Sequence, residues 1–270
     1  MSTIQRIPPH VTRSPRCSFR WTGELLWNLA THRINVRYKE TVLGYGWIFL
    51  QPVALTIIFT YIRRIAQIPT DKIPYPLFTA TGLVVWSFTS LVISQSAISI
   101  TNVQGLLKRV ALPKILFPLS TALSSLMDLF VMAIILSILF ILYQVSFTWA
   151  ILWLPLLFAI HMLFLIGMAS SIAIGYVFLR DIGQALPHVL WLWFFASPVF
   201  YPASLVPREF KLIAKWNPMT GLIEGYRAIL LSGQPPSMDY LVPAVIVTAG
   251  VVCLALFLFW RLEDIVTDIL

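Results

Sequence analysis

The chain has 270 residues, of which 59% are hydrophobic and 11% are charged, with a mean hydropathy of +0.84. A soluble domain carries roughly 25% charged residues, so this composition excludes a soluble enzyme and indicates an integral membrane protein. The formal net charge of +8 would suit a nucleic-acid partner, but seven of the 19 Lys and Arg residues precede residue 42, ahead of the first long apolar run. That position favours the lipid bilayer surface over nucleic acid.

The first forty residues are predicted to stay outside the lipid core. Residues 1–19 contain Pro8, Pro9 and Pro15 and are expected to form a flexible cytoplasmic tail. Residues 20–40 are predicted to form an amphipathic helix in the membrane surface. Its apolar stripe consists of Trp21, Leu25, Leu29 and Val36, with Arg33 and Arg37 beside it. Such a helix either contacts a partner protein or serves only as a basic anchor that sets topology.

Residues 41–270 are predicted to form one six-span transmembrane domain, which makes the chain an all-α membrane protein. A span needs about 20 mostly apolar residues, and six runs exceed or approach that length. The predicted spans are residues 42–61, 75–100, 117–143, 151–179, 184–200 and 241–260. The second span carries Ser and Thr along its length.

Between spans five and six, residues 203–233 are neither apolar enough to span a bilayer nor polar enough for a plain loop. The segments "PREFKLIAKWNP" and "MTGLIEGYRAILLSG" predict two short amphipathic helices, each bounded by Pro or Gly. Such helices can re-enter a membrane where protein shields them. Glu224 and Arg227, three residues apart, are placed to form an ion pair on the second helix.

The distribution of basic residues predicts the orientation of the chain. With six spans, both termini lie on the same side of the membrane. Twelve of the 19 Lys and Arg residues fall on that side, although Arg63 and Arg64 fall on the other. Because short cytoplasmic loops are enriched in Lys and Arg, both termini are predicted to be cytoplasmic.

Five segments along the chain carry a family resemblance. They are, in order, "NVRYKETVLGYGWIFLQP", "LLKRVALPKILFP", "FLRDIGQ", "SPVFYP" and "WNPMTGLIEGYR". Together they resemble the type-2 ABC-transporter permeases, and most of all those that export polysaccharides such as O-antigen, capsule or teichoic acid. The resemblance runs from about residue 20 to the end and leaves residues 1–19 unexplained.

The resemblance implies a homodimer in the bacterial inner membrane, driven by two cytoplasmic nucleotide-binding ATPase subunits. Its cargo would be an undecaprenyl-linked polysaccharide that passes through a channel at the dimer interface. ATP and Mg would be used by the partner subunit, and this chain would be a transport subunit with no enzymatic activity and no cofactor of its own. The sequence agrees, because it contains no G-x-x-x-x-G-K-[ST] loop to bind phosphates.

Charged residues on the predicted cytoplasmic side are candidates for contact with the ATPase. By resemblance, these surfaces transmit the force of the partner. The residues are Arg33, Arg37, Lys108, Arg109, Lys114, Arg180 and Asp181. A rigid basic segment would suit a polar or acidic cleft, but the same Lys and Arg residues also fit a role as topology determinants that face lipid headgroups.

Two ionisable residues lie inside predicted spans. An aspartate at a helix centre costs about 2.5–3.5 kcal/mol on insertion scales, so Asp128 is expected to face protein or water, either along the glycan path or in a hydrogen-bonded packing role. His161 is expected to make a contact between helices. In the fourth span, Gly167, Ser171 and Gly175 recur every four residues and form either the dimer seam or an internal packing face.

Aromatic residues are concentrated in the fifth span and beyond it. They are Trp191, Trp193, Phe194, Phe195, Phe200, Tyr201, Trp216 and Tyr226. Aromatic faces pack against the C–H faces of sugar rings, which would suit a path and outer gate for a sliding polymer. Trp and Tyr are also enriched at the headgroup level of membrane proteins, so an interfacial belt is the alternative.

Three classes of function remain open at the level of sequence. The first is the permease of a polysaccharide exporter, and the second is a type-2 ABC exporter of a small molecule such as a drug, lipid or haem. An ion-coupled carrier or membrane enzyme is the third. The chain contains no D-x-D, H-E-x-x-H or C-x-x-C motif, which disfavours an enzyme and predicts no metal site.

Overall fold

A computed structural model describes residues 19–38, 46–67, 73–107 and 113–269, and these residues form helices joined by turns, with no strand among them. The predicted all-α fold is therefore confirmed for the described ranges. The helices are α1 (Phe19–Tyr38), α2 (Gly46–Ala66), α3 (Tyr75–Ala97), α4 (Gln104–Leu107), α5 (Leu116–Leu142), α6 (Leu154–Phe178), α7 (Asp181–Ala196), α8 (Lys211–Trp216), α9 (Pro218–Arg227) and α10 (Met238–Ile269). Short 3₁₀ turns cover Thr101–Val103, Trp149–Trp153, Ala203–Leu205 and Arg208–Phe210, and one π-helical turn covers Ala228–Ser232.

Four helical segments of the described chain are long and apolar enough to cross a membrane. They are Tyr75–Ala97, Leu116–Leu142, Trp149–Phe178 and Met238–Glu263. The predicted first and fifth spans correspond to α2 and α7, which are not among these four. With 16 residues, α7 is shorter than the roughly 20 that a full crossing requires, so the count of six spans stays a prediction.

Several helix ends differ from the predicted spans. α2 continues past residue 61 through both of its arginines to Ala66, and α10 continues past residue 260 to Ile269. Helical hydrogen bonding does not depend on hydropathy, so polar flanks extend these helices. α7 begins at Asp181 rather than residue 184, and it ends at Ala196 rather than residue 200. The early end follows from Pro198, which holds the preceding residue in an extended conformation.

One end of the bundle, called here the α9 end, holds the first turn of α3 and the segment around α8 and α9. The Tyr75 hydroxyl donates to the Phe200 carbonyl at 2.8 Å. The Thr148 hydroxyl, in the connection from α5 to α6, donates to the Gly233 carbonyl at 3.0 Å. The start of α3, the end of α5 and the start of α10 therefore lie together.

The opposite end, called here the α1 end, holds α1, the start of α5 and the last turns of α10. The Arg33 guanidinium donates to the Ser99 carbonyl, just beyond α3, at 3.4 Å. The Lys114 backbone N–H donates to Glu263 Oε1 at 3.1 Å. α3, α6 and α10 therefore run from the α9 end to the α1 end, whereas α5 runs in the opposite direction.

The hydrophobic core centres on α3, α6 and α9. Leu83, Phe88, Leu165, Leu222 and Ile223 are fully buried within it. A second cluster at the α1 end brings together buried residues from α5, α6 and α10, with Leu29 of α1 packed against it. α9 is thus an interior helix, whereas α8 leaves most of its residues exposed.

The two short helices predicted between spans five and six are present as α8 and α9. α9 lies against α3, α6 and α10. Gly221 makes this close packing possible, because a Cβ added there would collide with the Tyr240 carbonyl oxygen and lie 2.8 Å from the Cβ of Ala244. The structure places α9 inside the bundle of helices, while re-entry of this segment into a membrane stays a prediction.

The small-residue face of α6 packs inside the subunit. A Cβ added to Gly167 would lie 3.0 Å from Val251 Cγ1 and 3.1 Å from the Val252 backbone nitrogen on α10. α6 and α10 also share the most extensive helix contact of the described chain. Of the two roles left open by the sequence, internal packing is the one observed at Gly167.

Candidate functional site

A row of serines on α3 faces an open groove, called here the serine groove. Ser87, Ser90 and Ser94 recur at intervals of three and four residues, which places them on one face of the helix. Gln51 of α2 lies over the same face. The Ser90 hydroxyl donates to the Ser87 carbonyl at 3.1 Å, so its oxygen lone pairs remain available to a ligand.

Two cavities of about 360 Å³ and about 330 Å³ share these four polar residues. The larger is closed on its far side by α7, which contributes Trp191, Phe194 and Phe195. Each volume lies at the lower end of the range for small-ligand pockets. The serine groove therefore has a polar floor from α3 and an aromatic wall from α7.

The chemistry of the serine groove is polar without charge. Among the described residues that line it, none carries a formal charge. Hydroxyl and amide groups exchange hydrogen bonds with a ligand's hydroxyls, while the faces of Trp191 and Phe195 offer apolar contact. Such a surface suits a ligand rich in hydroxyl groups, and it holds that ligand through contacts that can be exchanged one at a time.

The structure divides the predicted aromatic set into separate environments. Trp191, Phe194 and Phe195 line the serine groove. Trp193 instead packs edge-on against Trp86 in the core, and Phe200 stacks on Phe59 with ring centroids 4.5 Å apart. The remaining three lie elsewhere: Tyr201 is half-buried beyond α7, Trp216 is exposed on α8, and Tyr226 is buried in α9.

Arg227 forms a second polar site, called here the Arg227 cluster, at the α9 end. Its guanidinium donates to the backbone carbonyls of Phe78, Pro198 and Val199 at 3.2, 2.6 and 2.5 Å. It also donates to Glu224 Oε1 at 3.0 Å, which confirms the pairing predicted from their spacing. Arg227 therefore joins α3, α9 and the turn after α7.

The Arg227 guanidinium is buried, whereas the Glu224 side chain of this cluster stays 26% exposed. Gly82 admits the guanidinium, because a Cβ there would lie 2.6 Å from Arg227 Nη2 and 2.5 Å from the Val199 oxygen. The guanidinium carbon lies 3.5 Å from the centroid of the Phe78 ring, within cation–π range. Burial lowers the pKa of Arg227, and the Glu224 carboxylate opposes that shift.

Buried His161 links α6 to two other helices. Its Nε2 lies 2.9 Å from the Thr89 hydroxyl of α3, and its Nδ1 lies 3.4 Å from the Tyr226 hydroxyl of α9. The contact between helices expected for His161 is therefore present. Asp128 is also buried in α5, as expected for a carboxylate that avoids lipid, and a role for either residue on a glycan path stays a prediction.

Asn217 joins the end of α7 to the start of α9. Its Oδ1 accepts hydrogen bonds from the Met219 backbone N–H at 3.1 Å and from Trp193 Nε1 at 3.0 Å. Its Nδ2 donates to the Ser197 hydroxyl oxygen at 3.0 Å. The side chain therefore caps α9 and fixes the point where α7 ends inside the protein.

The predicted ATPase-contact residues fall at the α1 end, so far as they are described. Arg180 and Asp181 are exposed at the junction of α6 and α7, and Arg33 is partly buried against Ser99. Lys114 is buried, and its ammonium donates to the Glu263 carbonyl. Arg37 belongs to α1. Lys108 and Arg109 lie outside the described residues.

Sequence reasoning did not identify the serine groove. The signal was present, because the second predicted span is rich in Ser and Thr, and the three serines follow helical spacing. Thr81 and Thr89 of the same helix lie on the opposite face, where each donates to the carbonyl four residues earlier. Only the packing of α2 and α7 shows which hydroxyls meet open space.

Comparison with known proteins agrees with the resemblance found in the sequence. The family model for the ABC-2 type transporter matches residues 24–231. The O-antigen export system permease protein RfbA of Myxococcus xanthus is 28% identical over 218 residues, or 80% of this chain and 83% of that protein. RfbA of Klebsiella pneumoniae is 27% identical over 216 residues, covering 78% and 81%. The polysialic acid transport protein KpsM of Escherichia coli is 25% identical over 236 residues, covering 82% and 87%.

Proposed function

Because this chain belongs to the ABC-2 type transporter family, we propose that it is the membrane permease subunit of an ATP-driven polysaccharide exporter. The cargo is an undecaprenyl-linked polymer that moves from the cytoplasm to the periplasm. We assign it to O-antigen, because two of the three relatives described above are named for O-antigen export. The chain lies in the bacterial inner membrane with six spans and both termini in the cytoplasm.

The serine groove is the observation that carries this proposal. A polysaccharide presents hydroxyls around its rings and apolar C–H faces above and below them. The groove offers both complements, with serine hydroxyls and Gln51 on one side and the aromatic wall of α7 on the other. Because none of its described lining residues is charged, a long polymer can advance without strong binding at any one residue.

The proposed assembly is a homodimer with the serine groove at the seam. In the single subunit, Ser94, Gln51 and Trp191 are exposed. Serine and glutamine side chains facing hydrocarbon would lack partners. A second copy facing the groove would enclose it as a channel wider than the core of one subunit.

The proposed motor is a pair of ATPase subunits that bind at the α1 end and use ATP and Mg. Arg180 and Asp181 are exposed there, and Lys108 and Arg109 are further proposed contacts. At the other end, α8 and α9 form the proposed outer gate. α8 carries the exposed Trp216, and α9 is anchored through Arg227.

The proposed function is tested by removing this chain from the bacterium that encodes it. We expect undecaprenyl-linked polymer to accumulate on the cytoplasmic side while the surface polysaccharide disappears, and both effects to be reversed by the intact gene. Unchanged surface polysaccharide would contradict polysaccharide export. Loss of efflux of a drug, lipid or haem in the same strain would then favour the small-molecule exporter.

The proposed seam is tested separately by cross-linking. Cys17 and Cys253 are first replaced by serine, and a single cysteine is then introduced at Leu192, an exposed residue beside the aromatic wall of α7. We expect bifunctional thiol reagents to yield a linked dimer in native membranes. A cysteine at Ile141, exposed on α5, is the matched control, and cross-linking there alone would move the seam away from the serine groove.

A further inference from the structure

The segment around α8 presents basic and apolar side chains to the outside of the protein at the α9 end. The 3₁₀ turn Arg208–Phe210 continues directly into α8. Of residues 208–216, only Ala214 is buried. Leu212 and Ile213 are 67% and 68% exposed. Exposed apolar residues grouped on one segment mark a surface that contacts a membrane or another molecule.

The basic and apolar side chains of α8 lie on adjoining faces. In an α-helix, residues four apart share a face, and each residue turns the helix by about 100°. Lys211 and Lys215 therefore share one face, and Leu212 and Trp216 share the next, while the side that holds Ala214 packs against the protein. This arrangement is typical of a helix that lies in a membrane surface, with its apolar face in the lipid and its lysines at the headgroups.

The position of α8 suits contact with the bilayer surface. α8 lies against α9 and α10, at the end of the bundle where α3 and α10 begin. These two helices are long and apolar enough to cross a membrane, so their first turns reach the level of the headgroups. Trp216, the last residue of α8, is 46% exposed, and tryptophan is enriched at that level in membrane proteins.

The charge of this segment favours anionic lipids. It carries Arg208, Lys211 and Lys215 against one acidic residue, Glu209. Neither lysine has an ion-pair partner among the residues that the structure describes. Basic residues are enriched on the cytoplasmic side of membrane proteins, so lysines on the proposed outer side require a local reason. The phosphate groups of anionic phospholipids supply the complementary charge.

We propose that α8 is an interfacial helix that binds anionic phospholipids of the outer leaflet. Leu212, Ile213 and Trp216 enter the edge of the hydrocarbon. Lys211 and Lys215 donate charge-assisted hydrogen bonds to lipid phosphates. The inference goes beyond the proposed function and rests on it only for the leaflet, because the orientation of the chain decides which side of the membrane α8 faces. Bound lipid fixes the level of α8, and of the adjoining α9, relative to the bilayer.

The first test measures the depth of α8 in the bilayer. The complete transporter, with Cys17 and Cys253 replaced by serine and with cysteine-free ATPase subunits, is spin-labelled at a single cysteine introduced at Leu212. It is reconstituted in vesicles without nucleotide or polymer. We expect oxygen, which enters hydrocarbon, to reach the label more readily than a water-soluble nickel chelate. A label at Asp239, exposed in the first turn of α10, is the control and is expected to show the opposite preference.

The second test measures which lipid binds. A photoactivatable phosphatidylglycerol is added to the same complex in phosphatidylcholine vesicles, and mass spectrometry identifies cross-links to residues 208–216. Competition by unlabelled phosphatidylglycerol gives the apparent affinity. Each lysine near an anionic surface contributes about fivefold, so replacing Lys211 and Lys215 together by glutamine is expected to lower this affinity roughly 25-fold. Replacing both by arginine keeps the two charges and is expected to retain the affinity.

Greater access of the nickel chelate than of oxygen at Leu212 would overturn the proposal. Protection from both reagents would overturn it too, because a protein would then cover α8. Unchanged affinity in the glutamine variant, or equal competition by phosphatidylcholine, would contradict binding of anionic lipid. Stronger competition by undecaprenyl diphosphate would overturn the proposal by assigning the site to the cargo lipid. Neither test requires ATP hydrolysis or polymer, so failure in either leaves the proposed function intact.

Discussion

The serine groove and the Arg227 cluster are both polar sites within one apolar bundle, yet they differ in every physical respect. The groove carries hydroxyl and amide groups on exposed or half-buried residues. The cluster buries a guanidinium that donates to three carbonyls and a carboxylate. An uncharged group with spare hydrogen-bonding capacity can bind a ligand that moves past it, whereas a buried charge with fixed partners stabilises the fold.

Polar residues in this membrane bundle therefore have two different roles, one in stability and one in transport. Substitutions in the Arg227 cluster are expected to reduce stability first and transport only as a consequence. Substitutions in the serine groove are expected to reduce transport while leaving the fold intact.

Replacing Arg227 by methionine is expected to have the largest effect. The substitution keeps an apolar chain of similar length but removes the donor to the Pro198 and Val199 carbonyls, and it leaves Glu224 Oε1 with only the Ala203 N–H at 3.4 Å. Removing one member of a buried ion pair costs about 3–5 kcal/mol in the free energy of unfolding. Thermal unfolding of the purified protein measures the loss, with the exposed Arg208→Met as control. Equal stability of the two variants would show that the cluster does not hold the α9 end.

Gly82→Ala is expected to displace Arg227 by steric contact alone. Its new methyl group would lie 2.5 Å from the Val199 oxygen and 2.6 Å from Arg227 Nη2. Overpacking of this kind costs about 1–3 kcal/mol. The control is Gly250→Ala on α10, where an added Cβ meets nothing within 4 Å. If both alanines leave the unfolding temperature unchanged, the close approach at Gly82 is not required.

Asn217→Ala is expected to loosen the junction between α7 and α9. Loss of a helix N-cap costs about 0.5–2 kcal/mol, and here the Trp193 indole N–H also loses its acceptor. Trp fluorescence followed through thermal unfolding reports both changes. Asn102→Ala, at an exposed residue beyond α3, should behave like the unmodified protein, and a matching shift in that variant would argue against a special role for Asn217.

Ser94→Trp is expected to leave the free energy of unfolding within about 0.5 kcal/mol, as is usual for exposed positions. The indole would nevertheless enter the serine groove and obstruct the polymer, so surface polysaccharide should fall several-fold. Ser137→Trp, at an exposed serine of α5, places the same bulk away from the groove. Export that is lost equally in both variants would place the path elsewhere.

Much of the fold was predictable, because it depends on the local pattern of apolar residues. The runs of apolar residues gave the helices in their order, and Pro and Gly marked the two short helices now seen as α8 and α9. The spacing of Glu224 and Arg227 gave their ion pair. The ends of α2 and α10 were less predictable, since a helix continues into polar sequence wherever its backbone hydrogen bonds are kept.

The site was less predictable, because helical spacing gives the faces of a helix but not its neighbours. The row from Ser87 to Ser94 and the buried Thr81 and Thr89 look alike in the sequence, and only the packing of α2 and α7 distinguishes them. In the sequence, Lys114 looks like the other basic residues predicted to contact the ATPase. In the structure, its ammonium donates to the backbone carbonyl of Glu263 near the end of α10. Such contacts join residues far apart in the chain, and a single sequence does not contain that information.

Gly167 has a consequence for how two copies of this subunit can meet. Backbones approach most closely where glycines face each other, and Gly167 already lies against α10 of its own subunit. If two copies pair along α2 and α7, the meeting surface consists of broad side chains such as Leu192 and Ile57, which interlock shallowly and can slide. An interface of that kind opens by small rotations of bulky side chains. The width of the channel can then adjust to the thickness of the polymer while each subunit stays rigid.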